Sequence, residues 1–145
     1  MQVHIRPATA SDFPAIYALL REFSVFQKTP EKMVITLEEM TAQQDIVHAL
    51  VVQDGESIVG FATYFFSYYS WTGKAVYLDD LYVQPAFRGQ GAGGRLLGAI
   101  IDLARDAQCT KVRWQVSKWN EPAIALYKKI GAKIDDTEVN CDLYL

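Results

Sequence analysis

The stretch Tyr77-Leu78-Asp79-Asp80-Leu81-Tyr82-Val83-Gln84-Pro85-Ala86-Phe87-Arg88-Gly89-Gln90-Gly91-Ala92-Gly93-Gly94 decides how the chain is read. Its first half is an apolar strand interrupted by Asp79 and Asp80 and ended by Pro85. Its second half is a glycine-rich loop that opens a helix with Leu96, Leu97, Ile100, Ile101 and Ala104 on one side. Glycines lack Cβ atoms, so backbone N–H groups at a helix start can converge on a phosphate, and the helix dipole adds to the attraction. Arg88 places a fixed positive charge beside that loop. The same glycines also suit a simple chain reversal, so the loop alone leaves both readings open.

Upstream, Val3 to Ile5 reads as a short strand, and Ser11 or Asp12 as the cap of a helix with Pro14 in its first turn. Ile16, Leu19, Leu20 and Phe23 give that helix one apolar face. Thr36 is placed to cap a short helix, with Glu39 three residues on as in a capping box. His48 to Gln53, Ser57 to Tyr69 and Ala75 to Val83 read as strands joined by the turns Asp54-Gly55 and Trp71 to Lys74, which predicts an antiparallel meander. Downstream, Lys111 to Val116 reads as a strand. Asn120 is a helix cap followed by Pro122, with Gly131 past the helix end. The alternation Val139, Cys141, Leu143, Leu145 predicts a half-exposed final strand. No repeat or linker divides the chain, so one domain over 1–145 is expected.

Composition narrows the function classes. Half of the 145 residues are hydrophobic, 12% aromatic and 21% charged, which excludes a disordered chain. The net charge of −3 argues against a nucleic-acid partner, since phosphate neutralisation needs the opposite balance. Cys109 and Cys141 make no disulfide framework, and with only His4 and His48 beside them no zinc site is expected. No signal pattern opens the chain, and the apolar stretch Ser57 to Trp71 is broken by Gly60, Thr63 and Ser67, short of a membrane span. A cytoplasmic protein without a membrane partner is expected. The aromatic run from Phe61 to Trp71 exceeds the needs of one small core and predicts a homodimer.

Which phosphate ligand suits the loop? Gly89, Gly91 and Gly94 match G-x-G-x-x-G, but a dinucleotide fold requires an acidic residue about 20 positions on. That region, Val112 to Lys118, holds no carboxylate, and the preceding strand belongs to an antiparallel meander. The Gly-Lys-Ser/Thr of a nucleotide triphosphatase loop is absent. Neither a nicotinamide cofactor nor ATP is favoured; a third ligand with a pyrophosphate is coenzyme A.

At this point the chain resembles a known family. Tyr77 to Val83 followed by Gln84 to Gly93 is similar to motif A of the GCN5-related N-acetyltransferases (GNAT), and Trp119-Asn120-Glu121-Pro122 through Ala132 is similar to their motif B. The opening Ile5 to Asp12 also fits, and Tyr64 to Asp80 with Trp119 to Pro122 resembles the diamine (spermidine/spermine) or thialysine acetyltransferase branch. The resemblance implies an α/β GNAT (acyl-CoA N-acyltransferase) fold: a mixed central sheet with an antiparallel N-terminal meander and flanking helices. It implies acetyl-CoA as co-substrate. Leu81, Tyr82 and Val83 would pair with the pantetheine arm through their backbone. Arg88, Gly89, Gln90, Gly91, Ala92 and Gly93 would hold the pyrophosphate, and Asn120, Ala123 and Tyr127 would flank the cofactor's far side.

Tyr127 would protonate the departing thiolate; a thiol with pKa near 8.5 and a phenol near 10 make such a donor chemically apt. Tyr127 also suits a packed position on the Ile124/Tyr127/Ile130 helix face. Alkyl amines are charged at neutral pH, so the acceptor must lose a proton first. The resemblance assigns that to Asp79, directly or through water, where related diamine enzymes carry Glu. Adjacent strand residues face opposite sides, so only one of Asp79 and Asp80 is expected in a given pocket. Neither cysteine lies in a motif, so direct attack of the amine on the thioester is preferred to a covalent enzyme. For the acceptor, Gln27 and Tyr69 stand where polyamine enzymes place carboxylates, and Tyr69, Trp71 and Trp119 offer ring faces to an amine. The expected function is acetyl transfer to a primary amine of a small molecule: a diamine, a polyamine or a lysine-like amino acid. Acetylation of protein lysines or N-termini, and a non-catalytic acyl-CoA-binding module, are the alternatives.

Overall fold

The computed structural model describes residues 2–145, which fall into two compact units, 2–114 and 115–145. The first unit holds a five-stranded sheet in the order β1-β2-β3-β4-β5: His4–Pro7, His48–Asp54, Ser57–Tyr69, Gly73–Val83 and Lys111–Arg113. The first three neighbouring pairs are antiparallel and β4 pairs with β5 in parallel, so the meander and the later strand–helix–strand unit both form. Helices α1 (Phe13–Phe26), α2 (Leu37–Ala42) and α3 (Ala92–Asp106) complete this unit.

The core follows the two periodicities. From α1, Phe13, Ile16 and Leu19 pack with Met40 of α2 against Ala49, Val51, Phe61 and Tyr82 of the sheet. Side chains alternate along a strand, so Leu50, Val52, Ala62 and Val83 are buried on the other side, where α3 supplies Leu96, Ile100 and Ala104. Gly60 is required at the crossing of β3 and β4: a Cβ there would lie 2.9 Å from the Tyr82 carbonyl oxygen.

The caps correct one expectation. Thr36 caps α2 as read, its hydroxyl accepting from the Glu39 N–H at 3.1 Å. Asp12 precedes α1 but makes no side-chain cap to it. Its carboxylate is instead claimed by both ends of the Arg6 guanidinium at 2.8 Å and by the Thr9 N–H at 2.8 Å. That pairing holds the Asp12 carboxyl down at about 2.

In the second unit α4 spans Glu121–Lys129. Asn120 caps it, its side-chain oxygen accepting from the Ala123 N–H at 3.4 Å, and Gly131 follows with φ +94°. Two strand expectations fail. The strand from Lys111 stops at Arg113, where its pairing with Tyr77 ends. The tail 133–145 contains no strand, and Val139, Leu143, Tyr144 and Leu145 are exposed. Alternation shows that a segment has two faces; a strand also needs a partner for its backbone groups. Among the described residues no helix is long and apolar enough to cross a membrane.

Candidate functional site

The strand β4 turns into the loop before α3 at a cleft of about 350 Å³. Leu81, Tyr82, Val83, Arg88, Gly89, Gly91 and Gly93 line it, together with Gly94, Phe23 and Phe26. β5 pairs with β4 only from Ala75 to Tyr77, so beyond Tyr77 that side of β4 has no strand partner among the described residues. Its backbone N–H and C=O groups there are free of a ladder, as an amide-bearing ligand chain requires.

The loop itself is built for close approach. Gly89 and Gly91 take φ +77° and +84°, the left-handed region, and Gly91 is the N-cap of α3. A Cβ at Gly89, Gly91 or Gly93 would meet nothing within 4 Å, so these residues keep a space clear rather than relieve a clash. Ala92 is buried, and Gln90 is exposed. An open glycine cradle at a helix N-terminus beside an unpaired strand edge fits a pyrophosphate with a pantetheine arm.

Arg88 does not extend from the loop. Its Nε donates to the Val83 carbonyl at 2.8 Å, and its guanidinium lies 4.8 Å from the Phe26 ring centroid and 5.4 Å from that of Tyr82. The charge is held against the cleft wall by two ring faces. The Tyr82 hydroxyl donates to Glu22 at 3.1 Å and the Gln84 amide donates to the same carboxylate at 3.1 Å, so α1 is tied to the end of β4. Burial, and then Glu22, push the Tyr82 phenol up.

A second cleft of about 220 Å³ contains the acidic pair. Asp79 and Asp80 both line it, contrary to the expectation that one would face away. The reason is a β-bulge. Thr63 pairs with Asp80 and the next residue, Tyr64, pairs with Leu78, which leaves Asp79 as an extra residue on β4. The bulge shifts the alternation by one, so two consecutive residues serve the same cavity.

The walls around the pair are largely apolar: Leu20, Ile35, Met40, Ile46, Val47 and Phe65, with the His48 ring stacked on Tyr64 at 5.7 Å. Asp80 accepts a hydrogen bond from the Thr63 hydroxyl. Burial, and next the charge of Asp79, push the Asp80 carboxyl up to about 6. Asp79 is exposed at the mouth, yet nearby protein displaces enough water to push its carboxyl up as well. Carboxyls in this state bind a proton more readily than free ones, the property a base for an alkylammonium needs.

The remaining sequence-derived residues are dispersed. Gln27 is the C-cap of α1, its N–H bonded to the Phe23 carbonyl at 2.8 Å. Trp71 is 97% exposed in the β3–β4 turn. Tyr69 does not present bare ring faces, because Lys111 and Arg113 lie over it. In the second unit Asn120 and Ala123 form the α4 cap, Trp119 is exposed, and Tyr127 is half-buried, its phenol pushed up by burial. A raised phenol stays protonated at neutral pH and remains a donor. Among the described residues no cluster of His, Cys, Asp and Glu is arranged to hold a metal ion.

The model of the "Acetyltransferase (GNAT) family" matches residues 13–132. The chain belongs to the GNAT acetyltransferase family. It is therefore an acetyltransferase, and the family implies acetyl-CoA as its co-substrate. The thialysine N-epsilon-acetyltransferase of Bos taurus is 34% identical over 143 residues, covering 90% of this chain and 84% of that protein. A human spermidine/spermine N(1)-acetyltransferase-like protein 1 is 32% identical over 88% of this chain but only 20% of its own length. Among solved structures, an aminoglycoside N-acetyltransferase in complex with CoA shares the GNAT fold with a TM-score of 0.78 at 15% identity, covering 99% of this chain and 96% of that one. In this GNAT chain the cofactor-type cleft and the acidic cleft share one strand, β4, with Asp80 one residue from Leu81.

Sequence reasoning missed several contributors. Phe23 and Phe26 come to the first cleft from α1, and only Phe23 carried a signal, as part of an apolar face. Thr63 and His48 reach the acidic cleft through pairing across β2, β3 and β4, which no local pattern announces.

Proposed function

We propose that this GNAT enzyme transfers acetyl from acetyl-CoA to the primary amine of a small molecule, of the diamine, polyamine or lysine-like amino acid type, by direct attack. One observation carries the reading: two carboxylates with raised proton affinity share an apolar cleft beside the strand edge suited to the cofactor. The relatives named above act on thialysine or carry a spermidine/spermine name, which agrees in amine class.

Bound acetyl-CoA supplies an acyl carbon activated as a thioester. The chain's residues do the rest. Leu81 and Val83 offer backbone groups to the amide-bearing arm, and the loop from Arg88 to Gly93 offers N–H groups to the pyrophosphate. Asp79, at the cleft mouth, meets the ammonium and accepts its proton directly or through water, and Asp80 holds the pair's shared proton affinity in place. Interacting carboxyls titrate as a unit, so the base is the pair. The freed amine forms the new C–N bond, the C–S bond breaks as Tyr127 delivers a proton to the departing sulfur, and the proton shed by the new amide nitrogen returns through solvent to the Tyr127 phenolate. Acetyl transfer, proton removal and proton delivery balance without a covalent enzyme.

The exposed Phe66, Tyr68 and Trp71 on one hairpin support a homodimer, and with it we propose a cytoplasmic enzyme. The decisive assay is thiol release from acetyl-CoA with a panel of primary amines. Amine-dependent release with the acetylated amine as product is expected. Release that no amine accelerates defeats the proposal.

A further inference from the structure

Glu22 puts a carboxylate within one hydrogen bond of Tyr82, a wall residue of the cleft suited to an anionic cofactor. A negative charge so near an anion site is unfavourable by itself. Two donors satisfy it. One oxygen accepts from the Tyr82 hydroxyl at 3.1 Å, and the other from the Gln84 amide at 3.1 Å. Tyr82 and Gln84 flank Val83, and alternate residues of an extended chain share a side. Glu22 therefore grips the end of β4 at two points, one on either side of Val83.

That grip falls where the core gives none. The buried residues of α1 are Phe13, Ile16 and Leu19, and past Leu19 no residue of the helix is fully buried. Yet its C-terminal turns supply Phe23 and Phe26 to the cofactor-type cleft and Leu20 to the acidic cleft. The Phe23 ring lies 5.2 Å and the Phe26 ring 6.4 Å from that of Tyr82. Apolar contact is non-directional, so it keeps the helix end near β4 without fixing its place. The hydrogen bonds to Glu22 are directional. Tyr82 then passes the constraint on: its ring lies 5.4 Å from the guanidinium of Arg88, which opens the glycine loop and donates to the Val83 carbonyl.

We propose that Glu22 is a positioning residue of the cofactor cleft. Through Tyr82 and Gln84 it fixes the end of α1 against β4, and so sets the width of the space that receives the pantetheine arm. This rests on the placement of acetyl-CoA in that cleft. Glu22 lines neither cleft, so it acts as a hydrogen-bond acceptor and not as a base or as a charge felt by the ligand.

Steady-state kinetics, with calorimetry of CoA binding, read the role. Glu22→Ala is expected to raise the acetyl-CoA KM and the CoA Kd by about three- to tenfold, with kcat at saturating acetyl-CoA within about twofold of wild type. A merely destabilising change would lower the active fraction, and so kcat, and leave both constants in place. Glu22→Gln keeps an acceptor oxygen for the Tyr82 hydroxyl and loses the charge, and is expected to bind CoA like wild type. Tyr82→Phe removes the donor and keeps the ring. It is expected to match Glu22→Ala, and it carries the test alone where Glu22→Ala folds poorly. The double variant is expected to be no weaker than Glu22→Ala, because both changes break the same bond. Unaltered KM and Kd in Glu22→Ala, effects that multiply in the double variant, or a Glu22→Gln as weak as Glu22→Ala overturns the positioning role and leaves acetyl-CoA in the cleft. A Gly93→Val variant that binds CoA like wild type removes the cofactor from this cleft, and the role of Glu22 falls with it.

Discussion

Asp80→Asn separates the stability of the acidic cleft from its chemistry. The substitution keeps the side-chain shape and an oxygen for the Thr63 hydroxyl, and removes the charge. In the folded chain the Asp80 carboxyl sits at about 6, against 3.8 without the protein around it. Each tenfold in proton affinity is about 1.4 kcal/mol, so ionised Asp80 opposes folding by up to about 3 kcal/mol. The folded value lies above the unfolded one. The penalty is therefore absent below about pH 4, grows to about pH 6, and is complete above it. Asp80→Asn is expected to stabilise the protein by about 1–3 kcal/mol at pH 8, or several degrees in Tm, and to change it little near pH 4.5. Urea denaturation at the two pH values reads the difference. Acetylation is expected to fall in the same protein, because the amide cannot share a proton with Asp79. Equal destabilisation at both pH values would refute the reasoning and make the Thr63 bond, rather than the buried charge, the dominant feature of the site.

Asp12→Asn has the opposite sign. The carboxyl is held at about 2, so its stabilisation is present above about pH 4 and is lost as pH falls through 2; the variant should cost about 2 kcal/mol at pH 7, about half as much near pH 3 and little near pH 2, by denaturation. Gly93→Val meets open space, so its melting curve should stay near wild type while the acetyl-CoA Kd rises at least about tenfold, measured by calorimetry. Tyr127→Phe should lower kcat by roughly 10²-fold with acetyl-CoA affinity retained; an unaltered kcat would remove the phenol from the reaction. Asp79→Asn should slow turnover most at neutral pH and recover partly as pH rises and free amine forms unaided, and a deficit flat across pH would make Asp79 an orienting group.

Much of this molecule is written locally. The limits of β3 at Ser57 and Tyr69, the Thr36 cap and the Asn120 cap all follow from side chains whose effect acts within a few residues. The glycine loop is legible for the same reason, since positive φ and a bare backbone are properties of the residues themselves. The features read incorrectly depend on pairing. Asp79 and Asp80 look opposed until the register with Thr63 and Tyr64 reveals the extra residue. The contacts that hold the Arg88 charge at the cleft wall, from Phe26, Tyr82 and the Val83 carbonyl, are also set by packing and not by local sequence. The tail's alternation is real, but it specifies no partner.

The bulge at Asp79 also has a mechanical meaning. Acid pairs assembled from separate loops change their spacing whenever those loops move, and their proton affinities drift with it. Here both carboxylates hang from successive residues of one strand that is hydrogen-bonded to β3 on either side of the bulge. Helices can breathe and an acceptor can enter or leave while the distance between the attachment points stays fixed by one peptide unit. The spacing of the pair is thus set by the frame, while its proton affinity follows how closely the cleft walls exclude water from it.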